Sequence, residues 1–492
     1  MTMKMIFHKT VRGLIAVLII SALVLSSACS QREVTIISNQ FTRTEAVISN
    51  PMKGFACFYG KTDVDSSLEY IGLRFNEIYS YQNGQGALDT EELDKKLSKV
   101  ADRGNFAILR IYLLNPGYVD NEQTGLFLPE ELYKELKKSG DIYSNQVATG
   151  RLEYPDFNSE KLIGCMTEFI SMFGKKYDGH ATIATIQMGL YGSWGEWNMS
   201  ECRNNNCMMT DNNLKRIIEA YVSSFTKTKL MGRNPSLGYA HQYPIGYHDD
   251  NFMFNTSDFH KVNAEWKALL RKQHYTYSTL QQFYDFINGN GGKYEPLWNL
   301  WQTQMFGGEL SMQMSKEPFG PLWSGTEREA LDYCINQFHM SWLMGVGIGG
   351  IPATDTEEYE EYRKVSGSFG YDIYIDSVTG KNRTAKLSTS FGNAGIAPFY
   401  YDWPLEYRIS DEQGVMVYKY QDEEFKLSGL LPGETAESVF FITEDLKAGE
   451  YTVQMRFVNP AEGVSKKIMP LRLSNDHEVR DGFYELAKVT IV

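Results

Sequence analysis

Short apolar runs alternate with amphipathic stretches between residues 50 and 350. Runs that are bounded by turn residues, or buried throughout, predict eight strands. These strands are residues 54–60, 73–81, 106–114, 183–192, 228–233, 237–243, 297–309 and 340–348. Apolar residues at helical spacing, with acidic starts and basic or glycine ends, predict the helices between them. The clearest helical patterns are residues 88–104, 159–179, 211–225 and 327–339.

Strands that alternate with helices over such a length predict parallel β/α units. No glycine-rich phosphate turn follows the first strand, which favours a closed barrel over an open nucleotide-binding sheet. The predicted fold class is therefore α/β, with a (β/α)8 TIM-type barrel over residues 49–365.

The pattern changes after residue 365 to short, often alternating runs separated by turn residues. Such a pattern without long helices predicts a C-terminal antiparallel β-sandwich, which we assign to residues 366–492. Its predicted strands are residues 386–395, 405–411, 414–421, 438–444, 450–459, 468–475 and 484–492.

The N-terminus has the pattern of an export signal. Basic residues precede an apolar run over residues 14–25, and Ser26, Ser27 and Ala28 lead directly to Cys29. This pattern predicts a lipoprotein signal peptide (1–28), lipidation of Cys29 and a polar tether (29–48). The protein is then secreted across the cytoplasmic membrane and lipid-anchored in the cell envelope. An ordinary secretory signal with a chance cysteine is the alternative.

The net charge argues against one class of partner, and the cysteines indicate where a disulfide could form. The formal net charge of −13, without basic runs, argues against nucleic acid. Cys202 and Cys207 flank a polar loop and could close a small disulfide. The three other cysteines, Cys57, Cys165 and Cys334, lie in apolar segments and are expected to be buried thiols. No metal or cofactor motif is present, and the oligomeric state stays open.

Two glutamates fall at the ends of predicted strands. Glu196 ends the fourth strand within MGLYGSWGEWN, and Glu309 ends the seventh within MFGGEL. Reactive groups of such barrels lie at this end of the strands, and glycoside hydrolysis uses two carboxyl groups. Trp194 and Trp197 are expected to raise the acid's pKa and stack on a sugar. A hydrogen-bonded loop glutamate without a catalytic role is the alternative.

Further residues are candidates for substrate contact, each with a structural alternative. Arg110, inside the third strand, either orients a carboxylate or forms a structural ion pair. Asn76 in the second strand and His241 at the end of the sixth could contact a ligand, or could be satisfied structural residues.

The seventh strand and the loop after the sixth add more candidates. Because alternate residues of the seventh strand face into the barrel, either Trp298 or Asn299 together with Trp301 is predicted to line the pocket. Gly307 and Gly308 are predicted to let the backbone approach a ligand. The segment YHDDNF (247–252) is predicted to be a solvated loop, with cation binding through its aspartates as the alternative.

Glutamates on strands four and seven resemble the large clan of retaining β/α-barrel glycosidases. That resemblance implies Glu196 as the acid/base and Glu309 as the nucleophile. The chain is also similar to the bacterial secreted family called domain of unknown function 4832. The motifs that carry this similarity are NPMKGF (50–55), LRIYLL (109–114), GLYGSWGEW (189–197), FGGE (306–309) and FGYDIYI (369–375). This resemblance implies a sugar-active barrel with a C-terminal β-domain.

The sequence thus predicts a glycoside hydrolase with a two-glutamate retaining mechanism and a carbohydrate substrate. A surface lipoprotein that binds carbohydrate without cleaving it is the alternative. A purely structural envelope protein is the third option, and it would have no aromatic-lined pocket.

Overall fold

The computed structural model describes residues 32–61, 66–120, 122–199, 201–233, 242–252, 299–310, 326–345, 355–480 and 482–492. Cys29, His241 and Trp298 lie outside these residues. Within them, no helix is long and apolar enough to cross a membrane.

The elements are numbered along the chain. The strands are β1 (Val34–Ser38), β2 (Gly54–Phe58), β3 (Leu68–Arg74), β4 (Tyr79–Gln82), β5 (Gln85–Leu88), β6 (Phe106–Tyr112), β7 (Leu114–Val119), β8 (Thr124–Leu126), β9 (Ile142–Val147), β10 (Gly150–Pro155), β11 (Ile183–Gln187), β12 (Leu230–Gly232), β13 (Gly246–Phe252), β14 (Phe306–Leu310), β15 (Trp342–Gly345), β16 (Ile373–Lys381), β17 (Lys386–Asn393), β18 (Leu405–Asp411), β19 (Met416–Asp422), β20 (Thr435–Phe441), β21 (Gly449–Phe457), β22 (Glu478–Arg480) and β23 (Phe483–Ile491). The helices are α1 (Phe75–Ile78), α2 (Glu91–Asp102), α3 (Glu130–Ser139), α4 (Glu160–Tyr177), α5 (Asp211–Ser224), α6 (Thr326–Gln337) and α7 (Glu357–Ser368).

Eight parallel strands close the predicted barrel. Their order is β2, β3, β6, β11, β12, β13, β14 and β15, and β15 pairs back onto β2. Every residue of β6 and β11 is buried, as expected where helices cover one face of a parallel sheet and barrel side chains fill the other. Helix α2 shows the complementary pattern: Leu93, Leu97 and Val100 recur at helical spacing and are buried.

Two barrel strands, the second and the sixth, lie away from their predicted positions, and the seventh, β14, begins at Phe306 instead of residue 297. The second strand is β3, and residues 75–81 of the predicted run instead form α1 and most of β4. The sixth strand is β13, which includes the segment 247–252 that was predicted to be a solvated loop. Both errors have one cause: charged residues inside these strands are buried in ion pairs, so their polarity hides the strand pattern.

The C-terminal domain contains two antiparallel sheets. One has the order β1, β23, β21, β18, β19, with β22 beside β23, and the other has the order β16, β17, β20. The prediction of a tether over residues 29–48 is wrong for β1, which pairs along its whole length with β23. The predicted strand at 468–475 is not formed. The domain boundary predicted at residue 365 falls inside α7.

The C-terminal domain covers the amino-terminal end of the barrel strands. The ring of Trp403 lies 6.0 Å from that of Phe106, the first residue of β6. The hydroxyl of Tyr401 donates to the carbonyl of Ala184 in β11 at 2.5 Å. Because this end is sealed by packed side chains, the carboxyl-terminal end of the strands is the end left for a site.

Candidate active site

The loop that follows β11 has an unusual backbone. Trp194, Gly195 and Trp197 have φ values of 55°, 71° and 57°, in the left-handed region. A side chain at Gly195 would also collide with the backbone of Gly189, so glycine is required there. The turn from 193 to 197 places Glu196 between two left-handed residues and fixes its direction locally.

Trp197 stabilises this loop from below. Its indole N–H donates to the carbonyl of Met188 at 2.6 Å, and the residue is 5% exposed within the barrel core. The expectation that Trp197 offers a stacking face to a sugar is therefore wrong, because its ring is covered by protein. Trp194 is half-buried, and its backbone N–H donates to the carbonyl of Leu114 at 2.8 Å.

Arg110 connects three barrel strands at the mouth. This residue of β6 is 3% exposed, and its Nε donates to Oε1 of Gln187 at 2.7 Å. Its Nη2 donates to Oδ2 of Asp250 at 2.6 Å, and its Nη1 lies 3.5 Å from Oε1 of Glu196. Arg110 thus forms a buried ion pair and also contacts the candidate carboxylate.

The buried charges of β13 were not predicted from the sequence. Asp249 is buried, the side chain of Asp250 is 3% exposed, and Arg233, next to the end of β12, lies 3.1 Å from Asp249 and 3.8 Å from Asp250. His248 Nδ1 lies 2.7 Å from Oδ1 of Asp250. The sequence does contain an indication of these charges. Arginines in or beside two other barrel strands need buried counter-ions, and two adjacent aspartates can supply them.

Glu309 lies within β14, one residue before its end, and is half-buried. The two glycines before it serve packing. A Cβ at Gly308 would collide with the backbone of Asp249, and one at Gly307 with the ring of Trp342. The expectation that these glycines admit a ligand is therefore wrong, because strand and indole already occupy that space.

The two glutamates have raised pKa values. Burial is the main cause for Glu196, the negative charge of Asp250 adds to it, and Arg110 opposes it, so that the pKa is about 7. Burial also raises the pKa of Glu309 well above its ordinary range, with further contributions from the charges of Asp250 and Glu196. At neutral pH this pair can therefore hold a proton that a carboxyl group in water would lose.

Asp250 and His248 behave in the opposite way. Burial alone would raise the pKa of Asp250, but Arg110 and His248 hold it well below its ordinary range, so it stays ionised. Burial lowers the pKa of His248 to about 4, against the attraction of Asp250, so its ring is neutral. The mouth thus combines a fixed anion with two proton-holding carboxyls.

Among the described residues, no cluster of histidine, cysteine or carboxylate side chains is arranged to hold a metal.

Three other candidates lie elsewhere. Asn76 is exposed on α1 and lines a separate cleft of about 630 Å³, together with residues of β4 and α3. Asn299 and Trp301 precede β14 instead of lying on it, and the ring of Trp301 stacks on His339 at 3.7 Å. Tyr400 of the C-terminal domain donates to the carbonyl of Trp301. The prediction that Asn299 and Trp301 line the pocket is wrong, because this segment is at the sealed end of the barrel.

The disulfide that Cys202 and Cys207 could close is not formed. Both are buried free thiols, and Sγ of Cys207 donates to the carbonyl oxygen of Asn204 at 2.7 Å. Cys57 and Cys165 are buried free thiols, as predicted.

Comparison with known proteins gives matches to solved structures only. Neither a protein-family profile nor a curated protein sequence matches the chain. An endo-glycoceramidase II from Rhodococcus sp., solved as a lactosyl-enzyme intermediate, is 9% identical with a TM-score of 0.39, over 82% of this chain and 100% of that one. The catalytic domain of a β-amylase from Paenibacillus polymyxa is 10% identical with a TM-score of 0.35, over 65% and 98%.

A third structure, of GH5_18 from Bifidobacterium longum subsp. longum ATCC 55813, is 9% identical with a TM-score of 0.32, over 61% of this chain and 65% of that one. These neighbours are glycoside hydrolases with TIM barrels. At these identities and scores the similarity carries no assignment of activity. The resemblance to domain of unknown function 4832 stays a prediction.

Proposed function

We propose that this protein hydrolyses a glycosidic bond by means of Glu196 and Glu309. The observation that carries the proposal is the pair itself: two half-buried carboxyls at the open end of the barrel, one on the loop after the fourth strand and one on the seventh strand, both with raised pKa values. Carboxyl groups that hold a proton near neutral pH are what leaving-group protonation requires.

In the proposed retaining mechanism, Glu196 gives its proton to the glycosidic oxygen as the carboxylate of Glu309 attacks the anomeric carbon. The bond from that carbon to the leaving oxygen breaks, and a glycosyl ester forms on Glu309. Glu196 then removes a proton from water, which attacks the same carbon and releases Glu309. Arg110 would hold Glu196 in place during both steps.

Burial raises the pKa of both Glu196 and Glu309, so the direction of the shift does not distinguish the acid from the nucleophile, and covalent labelling is needed to assign the two roles. A fluorinated glycoside that traps the glycosyl ester would label the nucleophile. Peptide mass mapping would then identify the labelled residue as Glu309 or as Glu196.

The test of the activity is a hydrolysis screen of residues 30–492 against aryl glycosides and polysaccharides. Glu196→Gln and Glu309→Gln should each reduce the rate by at least about 10²–10⁴-fold. The matched control is Glu77→Gln, an exposed α1 glutamate paired with Arg74, which should retain the full rate.

Proton NMR of the first product gives the anomeric configuration, which should be that of the substrate. Cleavage that persists in both glutamine variants would refute the site. Glycan binding without cleavage, equal in wild type and variants, would instead indicate the carbohydrate-binding lipoprotein.

We propose in addition that Cys29 is lipidated and anchors the protein in the cell envelope. The support is the sequence alone: a basic N-terminus, an apolar run and small residues before the cysteine. Metabolic labelling with an alkyne fatty acid should mark the wild-type chain and not Cys29→Ser. Labelling that persists in Cys29→Ser would refute the proposal.

A further inference from the structure

The register of the larger sheet brings one set of strand ends together. Val34 pairs with Ile491, and Ile491 pairs with Gly449. Asp411 pairs with Tyr451, and the turn after Asp411 leads to Met416 at the start of β19. The first described strand, the end of the last strand and the β18–β19 turn therefore lie at the same end of the sandwich, which we call the distal end.

The smaller sheet contributes to the distal end as well. Lys381 pairs with Lys386, which pairs with Phe441 at the end of β20. The two sheets are joined there: the backbone N–H of Ile36 donates to the side chain of Asn382 at 2.9 Å.

The opposite end of the same sheets contacts the barrel. Leu405 and Phe457 pair at the other end of β18 and β21, directly after Trp403, which packs on Phe106. The backbone N–H of Met469 donates to the carbonyl of Gly104, beside the start of β6. The molecule is thus layered: the distal end, the sandwich, the sealed end of the barrel, and then the mouth.

The distal end exposes apolar side chains. Val415 is 58% exposed, Met416 54%, Phe441 60% and Val492 78%. Cationic and anionic side chains surround them in similar numbers; these are Lys381, Arg383, Lys386 and Lys447, with Glu412, Glu444, Asp445 and Glu450. Exposed apolar side chains that are surrounded by charged side chains of both signs are suited to the boundary between lipid headgroups and acyl chains.

The chain that precedes the described residues enters at this end. Only four residues separate Cys29 from Val34, which is about 17 Å of fully extended chain. The apolar run of residues 14–25 lies close before them. The inference rests on the proposed membrane attachment, through a lipid on Cys29 or through the uncleaved apolar run. In either case the membrane surface lies within a short reach of the distal end.

We propose that the distal end rests on the lipid bilayer, with Met416 and Phe441 in the interface and the barrel mouth facing away. β23 is nine residues long and spans about 30 Å, and the barrel strands add to that distance. The mouth then stands on the order of 50 Å from the membrane, where it can reach glycans outside the headgroup layer. This inference does not depend on hydrolysis.

The test uses the full chain in phosphatidylethanolamine–phosphatidylglycerol vesicles that contain a headgroup nitroxide lipid. A fluorophore is attached to Met416→Cys, Phe441→Cys or, as the matched control, Tyr118→Cys. Tyr118 is 45% exposed on β7, which follows β6 at the mouth end. The unsubstituted chain, labelled in parallel, measures any reaction of the native thiols, of which Cys57, Cys165, Cys202 and Cys207 are buried.

Lipid quenching at positions 416 and 441 should exceed that at 118 at least about threefold, since interfacial side chains sit about 5–10 Å into the bilayer boundary. Equal quenching at all three positions would overturn the proposal, as would quenching at 118 alone or at none. Each of these results can be obtained whether or not the protein cleaves a glycan, so failure here is separate from failure of the proposed activity.

Discussion

Replacing Glu196 by glutamine should make the folded protein less sensitive to alkaline pH. Burial raises the pKa of Glu196 from 4.5 to about 7, so the folded state binds this proton more tightly than the unfolded chain. The contribution of Glu196 to stability is therefore fully present below pH 4.5 and is lost as pH rises through 7. Glutamine has the same shape and no charge, and it lacks this loss.

The magnitude follows from the two pKa values. The difference between a pKa of 4.5 in the unfolded chain and about 7 in the folded protein corresponds to roughly 3 kcal/mol above pH 7. Between pH 5 and pH 8 the wild type should lose roughly 2–3 kcal/mol through Glu196 that Glu196→Gln does not lose. At roughly 1 °C per kcal/mol for a chain of 492 residues, the melting temperature of the variant relative to wild type should increase by about 2–3 °C over that range.

The assay is calorimetric unfolding of both proteins at pH 5 and pH 8, with Glu77→Gln as control. Glu77 is exposed beside Arg74 and outside the candidate site, so its replacement controls for the exchange of a glutamate for glutamine itself. The result that would refute the reasoning is a Glu196→Gln difference that stays constant, or that falls, between pH 5 and pH 8. Either would mean that Glu196 is ionised at little cost in the folded protein.

Three further perturbations test the site and its support. Asp250→Asn removes the anion paired with Arg110, so Glu196 should become the counter-ion of this arginine and the pKa of Glu196 should fall. Carbon NMR of labelled glutamate would measure that pKa, and an unchanged value would contradict the expectation. The same change should destabilise the fold by about 3–5 kcal/mol, measured by urea unfolding. Gly195→Ala should abolish activity on any substrate found while retaining the far-ultraviolet circular dichroism spectrum, because only the turn that carries Glu196 is blocked. Trp403→Ala should cost about 3–5 kcal/mol in urea unfolding by emptying the interface between sandwich and barrel, without moving the pKa of Glu196; a cost under 1 kcal/mol would contradict the packing argument.

The barrel could be predicted because its strands and helices have different periods. β6 and β11 are buried, largely apolar runs, and α2 and α4 have clear apolar faces, so their types follow from local pattern. β13 could not be found in this way, because its His248 and Asp249 face buried arginines that come from distant sequence. A polar strand is recognisable only once its counter-ions are known.

The sequence predicts both carboxylates at the carboxyl-terminal end of the barrel, where the structure has them, but it does not predict their surroundings. Glu309 lies on the seventh strand, whereas Glu196 lies on the loop after β11 and not on the strand itself, and their catalytic roles stay a prediction. Tryptophans gave the opposite outcome: Trp197 and Trp301 both have indoles packed against protein, one under the loop and one at the sealed end. Sequence alone does not distinguish an aromatic ring that is exposed in a binding site from one that is covered by other protein side chains.

The pairing of β1 with β23 has a consequence for the order in which the chain is made. β1 emerges first, and its partner, ending at Ile491, emerges only after the entire barrel and the rest of the sandwich. The barrel is therefore an insertion within the sandwich, and β1 has no partner strand through almost the whole of synthesis. A product truncated before residue 483 would contain the complete barrel sequence but would leave β1 as an open sheet edge. Closure of the sandwich therefore requires synthesis to reach β23.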